Sequence, residues 1–149
     1  QLLLYFLEVL FHQERWTQLV ELGLSVNKLL DNLEDRKVMK LLVYGQKELM
    51  MKAKARMDET SHQLKTLTED MKMKKAAILE KKRQLRSQRG KKEQDRLLAD
   101  ETKTFEDAKS VIVPELEKRT LIFRHADDTY AQFRGAADVI EKEMRKFLV

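Results

Sequence analysis

From Met50 onward an apolar side chain recurs at every seventh position: Met50, Met57, Leu64, Met71, Ile78 and Leu85. That spacing keeps one stripe of a helix facing a partner while both helices supercoil, whereas a strand would need a period of two. The middle of the chain is therefore committed to a long paired helix. Little elsewhere could interrupt it, because the 149 residues include only 4 Gly and 1 Pro. With so few turn formers the fold class is predicted to be all-α, built from few and long elements. A hydrophobic share of 42% is too high for a disordered chain, and an aromatic share of 7% is low for a compact core of large side chains. Long amphipathic helices satisfy both limits.

Four segments follow in order. Residues 1–33 read as a short antiparallel helix pair. Residues 1–12 are apolar on nearly every face, and residues 15–30 carry Trp16, Leu19, Val20, Gly23, Val26 and Leu30 on one stripe. The link HQER is too short for any other arrangement. After DNLED, whose Asp31, Asn32 and Asp35 are capping residue types, a long coiled-coil helix occupies 34–89, with Val38, Leu41, Leu42 and Leu49 inward at its start. Its companion seam, Ala53, Thr60, Leu67, Lys74, Lys81 and Gln88, is weaker. Residues 90–114 form a basic turn region around Gly90 and a helix in which Pro114 predicts a break or kink. Residues 115–149 form an amphipathic coiled-coil helix with a full a/d stripe: Phe123, Ala126, Tyr130, Phe133, Ala137, Ile140, Met144 and Phe147.

Segments 34–89 and 91–149 are nearly equal in length, as an antiparallel hairpin turning near Gly90 requires. Pairing positions whose numbers add to 183 sets Leu85 against Leu98, Ile78 against Phe105, Met71 against Ile112, Met57 against Ala126 and Met50 against Phe133. Leu64 opposite Arg119 is the one mismatch. Extended helices pairing with other chains would use the same seams.

Charge is concentrated. Residues 74–98 hold ten basic and three acidic side chains, a net +7 in a chain of net +5. Lys81, Lys82, Arg83, Arg86, Arg89, Lys91 and Lys92 are the candidate contacts for an acidic surface such as a tubulin tail. The competing reading is a solvated coiled-coil face. No catalytic constellation accompanies them: His12, His62 and His125 lack metal-ligand spacing, Cys is absent, and Gly90-Lys91 is not a phosphate loop. The chain is read as a non-enzyme with no cofactor, no metal and no small-molecule substrate. The apolar run LLLYFLEVLF that opens the sequence is too short to cross a bilayer, lacks preceding basic residues, and reads as a helix within a longer protein.

The segment LLLYFLEVLFHQERWTQLVELGLSVNKLL resembles a tetratricopeptide-type helix pair, with Trp16 at the aromatic entering the second helix. Leu7 and Leu19 replace that repeat's small residues, and Asp31 its closing proline. The wording LEVLFHQERW followed by LLVYGQKEL also resembles helical-repeat regions of large cilia- and flagella-associated proteins of the axonemal central apparatus. That resemblance implies a cytoplasmic, cytoskeletal scaffold in a cilium axoneme that binds neighbouring helical proteins along a microtubule. The alternatives are a basic coiled-coil arm binding RNA, disfavoured because residues 74–98 contain no aromatic to stack on a base, and a membrane-binding helical dimer, disfavoured because the positive charge lies in one place.

Overall fold

The computed structural model describes residues 2–29 and 36–148, apart from the side chains of residues 2, 3, 26–29, 36, 143, 144, 147 and 148. The described residues form four helices and no strand: α1 (Leu2–His12), α2 (Trp16–Leu29), α3 (Arg36–Gln84) and α4 (Gln88–Leu148). Within each of the chain's two compact units, stretches of the long helices α3 and α4 pack against each other, antiparallel, as a helical hairpin requires. The capping residues Asp31, Asn32 and Asp35, and Val26 and Leu30 of the α2 stripe, lie outside the described side chains.

The chain divides into two compact units that cut across the sequence order. One takes residues 1–55 and 121–149, the other residues 56–120. In the first unit α1, α2, the start of α3 and the end of α4 share one core of Leu7, Trp16, Leu19, Val20, Val38, Met39 and Leu42. Phe133, Ala137 and Ile140 of α4 pack onto it. The α4 stripe is thus engaged within its own chain. Ala126 is buried, Phe123 and Tyr130 are half-buried, and the side chains of Met144 and Phe147 lie outside the described residues. Gln46, 5% exposed, donates from Nε2 to the Ala126 carbonyl at 3.0 Å, tying α3 to α4.

Two backbone features set the packing of the helix pair. Glu14 closes α1 in the left-handed region, at φ 57°. The Arg15 N–H then donates to the Leu10 carbonyl at 3.0 Å and the Glu14 N–H to the Phe11 carbonyl at 3.1 Å, the paired bonds of a Schellman cap. This reversal lets Trp16 enter α2 against Phe11 and Tyr44, with ring centroids 5.6 and 5.7 Å away. An L side chain is strained at that φ by about 1–2 kcal/mol, so Glu14→Gly is expected to raise stability by about 1 kcal/mol after its larger unfolded-state entropy is subtracted. Urea unfolding followed by Trp16 fluorescence checks it; a destabilised variant would mean that the glutamate side chain contributes more than the strain removes.

In the second unit the small seam residue Thr60 is the most buried, 2% exposed. Ile78 is 8% exposed, while Met57, Leu64, Leu67 and Met71 are half-buried. Arg119 of α4 donates from Nη1 to Thr60 Oγ1 at 2.7 Å and to the Arg56 carbonyl at 3.2 Å, and from Nε to Glu115 at 2.9 Å. The guanidinium is thereby satisfied where an apolar partner would have left it unpaired. Arg119 faces Thr60 and Arg56 and not Leu64, because the register differs from the apolar match. Hydrogen-bonded and ion-paired partners across α3 and α4 within the two units have numbers adding to 172–179. That places the helices one to three turns from the pairing on 183. Pro114 does not break α4, which runs through it. Its ring is on the exposed face, where water can serve the Ser110 carbonyl that loses its helical donor.

Candidate interaction site at the hairpin tip

The chain reverses over Leu85, Arg86 and Ser87, three residues ahead of Gly90. Leu85 N–H still reaches the Lys82 carbonyl at 3.2 Å, a tightened last turn of α3. Ser87 then caps α4: its carbonyl accepts from Lys91 N–H at 3.1 Å, and its Oγ accepts from Gly90 N–H at 3.4 Å. Gly90 sits inside the first turn of α4, without a positive φ. Its use is steric, because a Cβ there would lie 3.3 Å from Cδ1 of Leu85, which folds over the start of α4.

This reversal gathers all seven cations read as candidates. Lys81, Lys82 and Arg83 fill the last turn of α3, Arg86 stands in the loop, and Arg89, Lys91 and Lys92 lie in the opening turns of α4. They are not equivalent. Lys82 pairs with Asp95 across the hairpin at 2.6 Å, Arg83 with Glu80 at 2.8 Å along its helix, and Arg89 with Glu93 at 4.0 Å. Lys81, Arg86, Lys91 and Lys92 have no carboxylate partner among the described residues. Further from the loop, Lys74 lies 3.4 Å from Asp70 and 3.5 Å from Glu101. Its hydrogen bond to Asp70, with the charges of Asp70 and Glu101, holds its pKa above the ordinary 10.5. The stability this contributes is present below that value and disappears as pH rises past the raised one.

Helix electrostatics sort the same residues. Cations in the last turn of α3 complement the negative end of its dipole. The first turn of α4 holds no acid, although acids are what its positive end favours. Arg89, Lys91 and Lys92 therefore stand where the isolated hairpin would be better without them. Composition made the cluster visible. The free members were not, because identifying them requires the register that brings Asp95 to Lys82. Sequence reasoning also missed Ser87 as the cap, and Gln94, 9% exposed near the tip with Oε1 buried and unbonded. Its only sequence signal is its place four residues before Leu98 on one helical face.

Among the described residues no three carboxylate or imidazole side chains gather as a metal site, and no helix is long and apolar enough to cross a membrane. Comparison with protein-family models, curated proteins and solved structures finds no match.

Proposed function

We propose that this chain is a non-catalytic structural arm of a larger scaffold, and that the hairpin tip docks on an acidic protein surface. The observation that carries this reading is the set of four cations without carboxylate partners, Lys81, Arg86, Lys91 and Lys92, grouped at one chain reversal. Two of them lie at the end of α4 that disfavours positive charge. A solvated face explains charge spread along a helix, but it does not explain cations concentrated against the dipole. The likeness of the first 50 residues to ciliary helical-repeat proteins favours a microtubule-based assembly, with the tubulin tail as the acidic surface. The α4 stripe is used inside the chain, which leaves other apolar surfaces for helical partners. Tyr5 and Phe6, 62% and 49% exposed on α1, form one such surface, and Leu121 and Ile122, 64% and 51% exposed on α4, form another.

Co-sedimentation with intact and tail-stripped microtubules tests the proposal, with a generic RNA and anionic vesicles in parallel. Binding is expected only to intact microtubules, and it should weaken as salt rises past about 0.1 M, where screening acts within roughly 10 Å. Equal binding to stripped microtubules, or preference for RNA or vesicles, would overturn it.

A further inference from the structure

The tip carries one hydroxyl that the docking role does not use. Every serine and threonine of the chain lies within a helix except Ser87. Ser25, Thr60, Thr68, Thr102, Thr104, Ser110, Thr120 and Thr129 spend their hydroxyls on carbonyls three or four residues back. Ser87 is exposed, outside helix, and its Oγ serves only as a 3.4 Å acceptor for Gly90 N–H. A kinase cleft takes its acceptor in extended backbone, and a three-residue reversal flanked by two helix ends opens more readily than any helix interior. The flanks are cationic on both sides, with Arg83 and Arg86 before the serine and Arg89, Lys91 and Lys92 after it. An acid-lined substrate groove would select such a segment.

We propose that Ser87 is a phosphorylation site, modified by an arginine-directed protein kinase, whose phosphate is taken up by the tip's own unpaired cations and so withdraws them from an acidic partner. The last clause rests on the docking proposal; the site itself does not. In the transfer, Ser87 Oγ attacks the γ-phosphorus of ATP and forms an O–P bond. The bond from that phosphorus to the β,γ-bridging oxygen breaks, ADP leaves with the electron pair, and the hydroxyl proton passes to the kinase's carboxylate base. The product places about two negative charges at the start of α4, beside Arg86, Lys91 and Lys92 in sequence. That supplies the anion which the first turn of α4 lacks, so the modification should strengthen the cap while it lowers the net charge of the tip.

The experiment incubates the full chain with an arginine-directed kinase and MgATP, maps the phosphate, and follows three properties. Phosphate is expected on Ser87, not on Ser25, Ser61 or Ser110, and uptake should vanish in Ser87→Ala. The 31P titration midpoint of the folded phosphoprotein should lie below that of the same protein in urea, and the melting temperature should not fall. Affinity for polyglutamate should drop several-fold on phosphorylation. Modification elsewhere, no modification, or an unshifted 31P midpoint overturns the site. A mapped Ser87 phosphate that leaves polyglutamate affinity unchanged overturns the switch. Failure of the unmodified chain to bind polyglutamate counts against the docking proposal, and mapping and the 31P midpoint then decide the site alone.

Discussion

Leu42→Ala is expected to destabilise the first compact unit by about 2–5 kcal/mol, the range for truncating a buried leucine. Leu42 is 1% exposed and lies in the core shared by α1, α2, α3 and α4. It also borders an open apolar cavity of about 310 Å³, lined with Phe133, Val139 and Ile140, so the void left by truncation merges with an existing one. A second variant fixes the geometry behind the number. A Cβ added at Gly23 would run into the Leu42 side chain, and one at Gly45 would meet Leu19 Cδ2 at 2.9 Å. These two glycines let α2 and α3 approach closely. Gly23→Ala gains about 1 kcal/mol of helix propensity. It loses about 1–3 kcal/mol to overpacking, and since the new Cβ would crowd both Cδ2 and Cγ of Leu42, the loss should win even with the cavity beside that side chain. In the Leu42→Ala background the obstacle is gone, so Gly23→Ala should become neutral or stabilising, with a coupling of at least about 1 kcal/mol. Trp16 is the only tryptophan and is 8% exposed in the same core, so its fluorescence in urea reports this unit specifically. A stabilising Gly23→Ala in the unmutated chain would contradict the close approach of α2 to α3.

The long paired helices were legible because a seven-residue repeat leaves few alternatives. The place and register of the reversal were not. Gly90 reads as the turn since glycine is the residue that breaks helices, yet the reversal uses Ser87 as a cap and needs Gly90 only for the room it gives Leu85. Matching apolar residues alone favoured the pairing on 183. Buried polar partners mark the observed one: Gln46 with the Ala126 carbonyl, and Arg119 with Thr60. Buried polar groups tolerate fewer arrangements than methylenes, because each must find a donor or acceptor. Thr60, a weak seam residue in the sequence, is more buried than any methionine of the repeat for this reason. The left-handed Glu14 had no signature, since glutamate is not a residue that announces that conformation.

The tip tests whether charge is used or merely carried. A variant with Lys81, Arg86, Lys91 and Lys92 each changed to Glu is expected to bind polyglutamate at least about 100-fold more weakly at low salt, about 2.7 kcal/mol in all. That is under 1 kcal/mol for each reversed site, within reach of exposed charges at low ionic strength. A companion variant makes the same net change elsewhere, at the exposed Lys52, Lys54, Lys65 and Lys72 of α3. It should weaken binding far less, because screening confines each charge to roughly 10 Å at 0.1 M salt. Equal losses in the two variants would show that net charge, not the tip, attracts the polymer. Stability should move the other way at the start of α4. Glutamates at positions 91 and 92 suit the positive end of that helix, so the Lys91→Glu, Lys92→Glu pair is expected to keep or raise the melting temperature while it lowers affinity. Opposite signs in binding and stability are the mark of a residue retained for a partner; a variant that loses both would place Lys91 and Lys92 among the residues that hold the hairpin together.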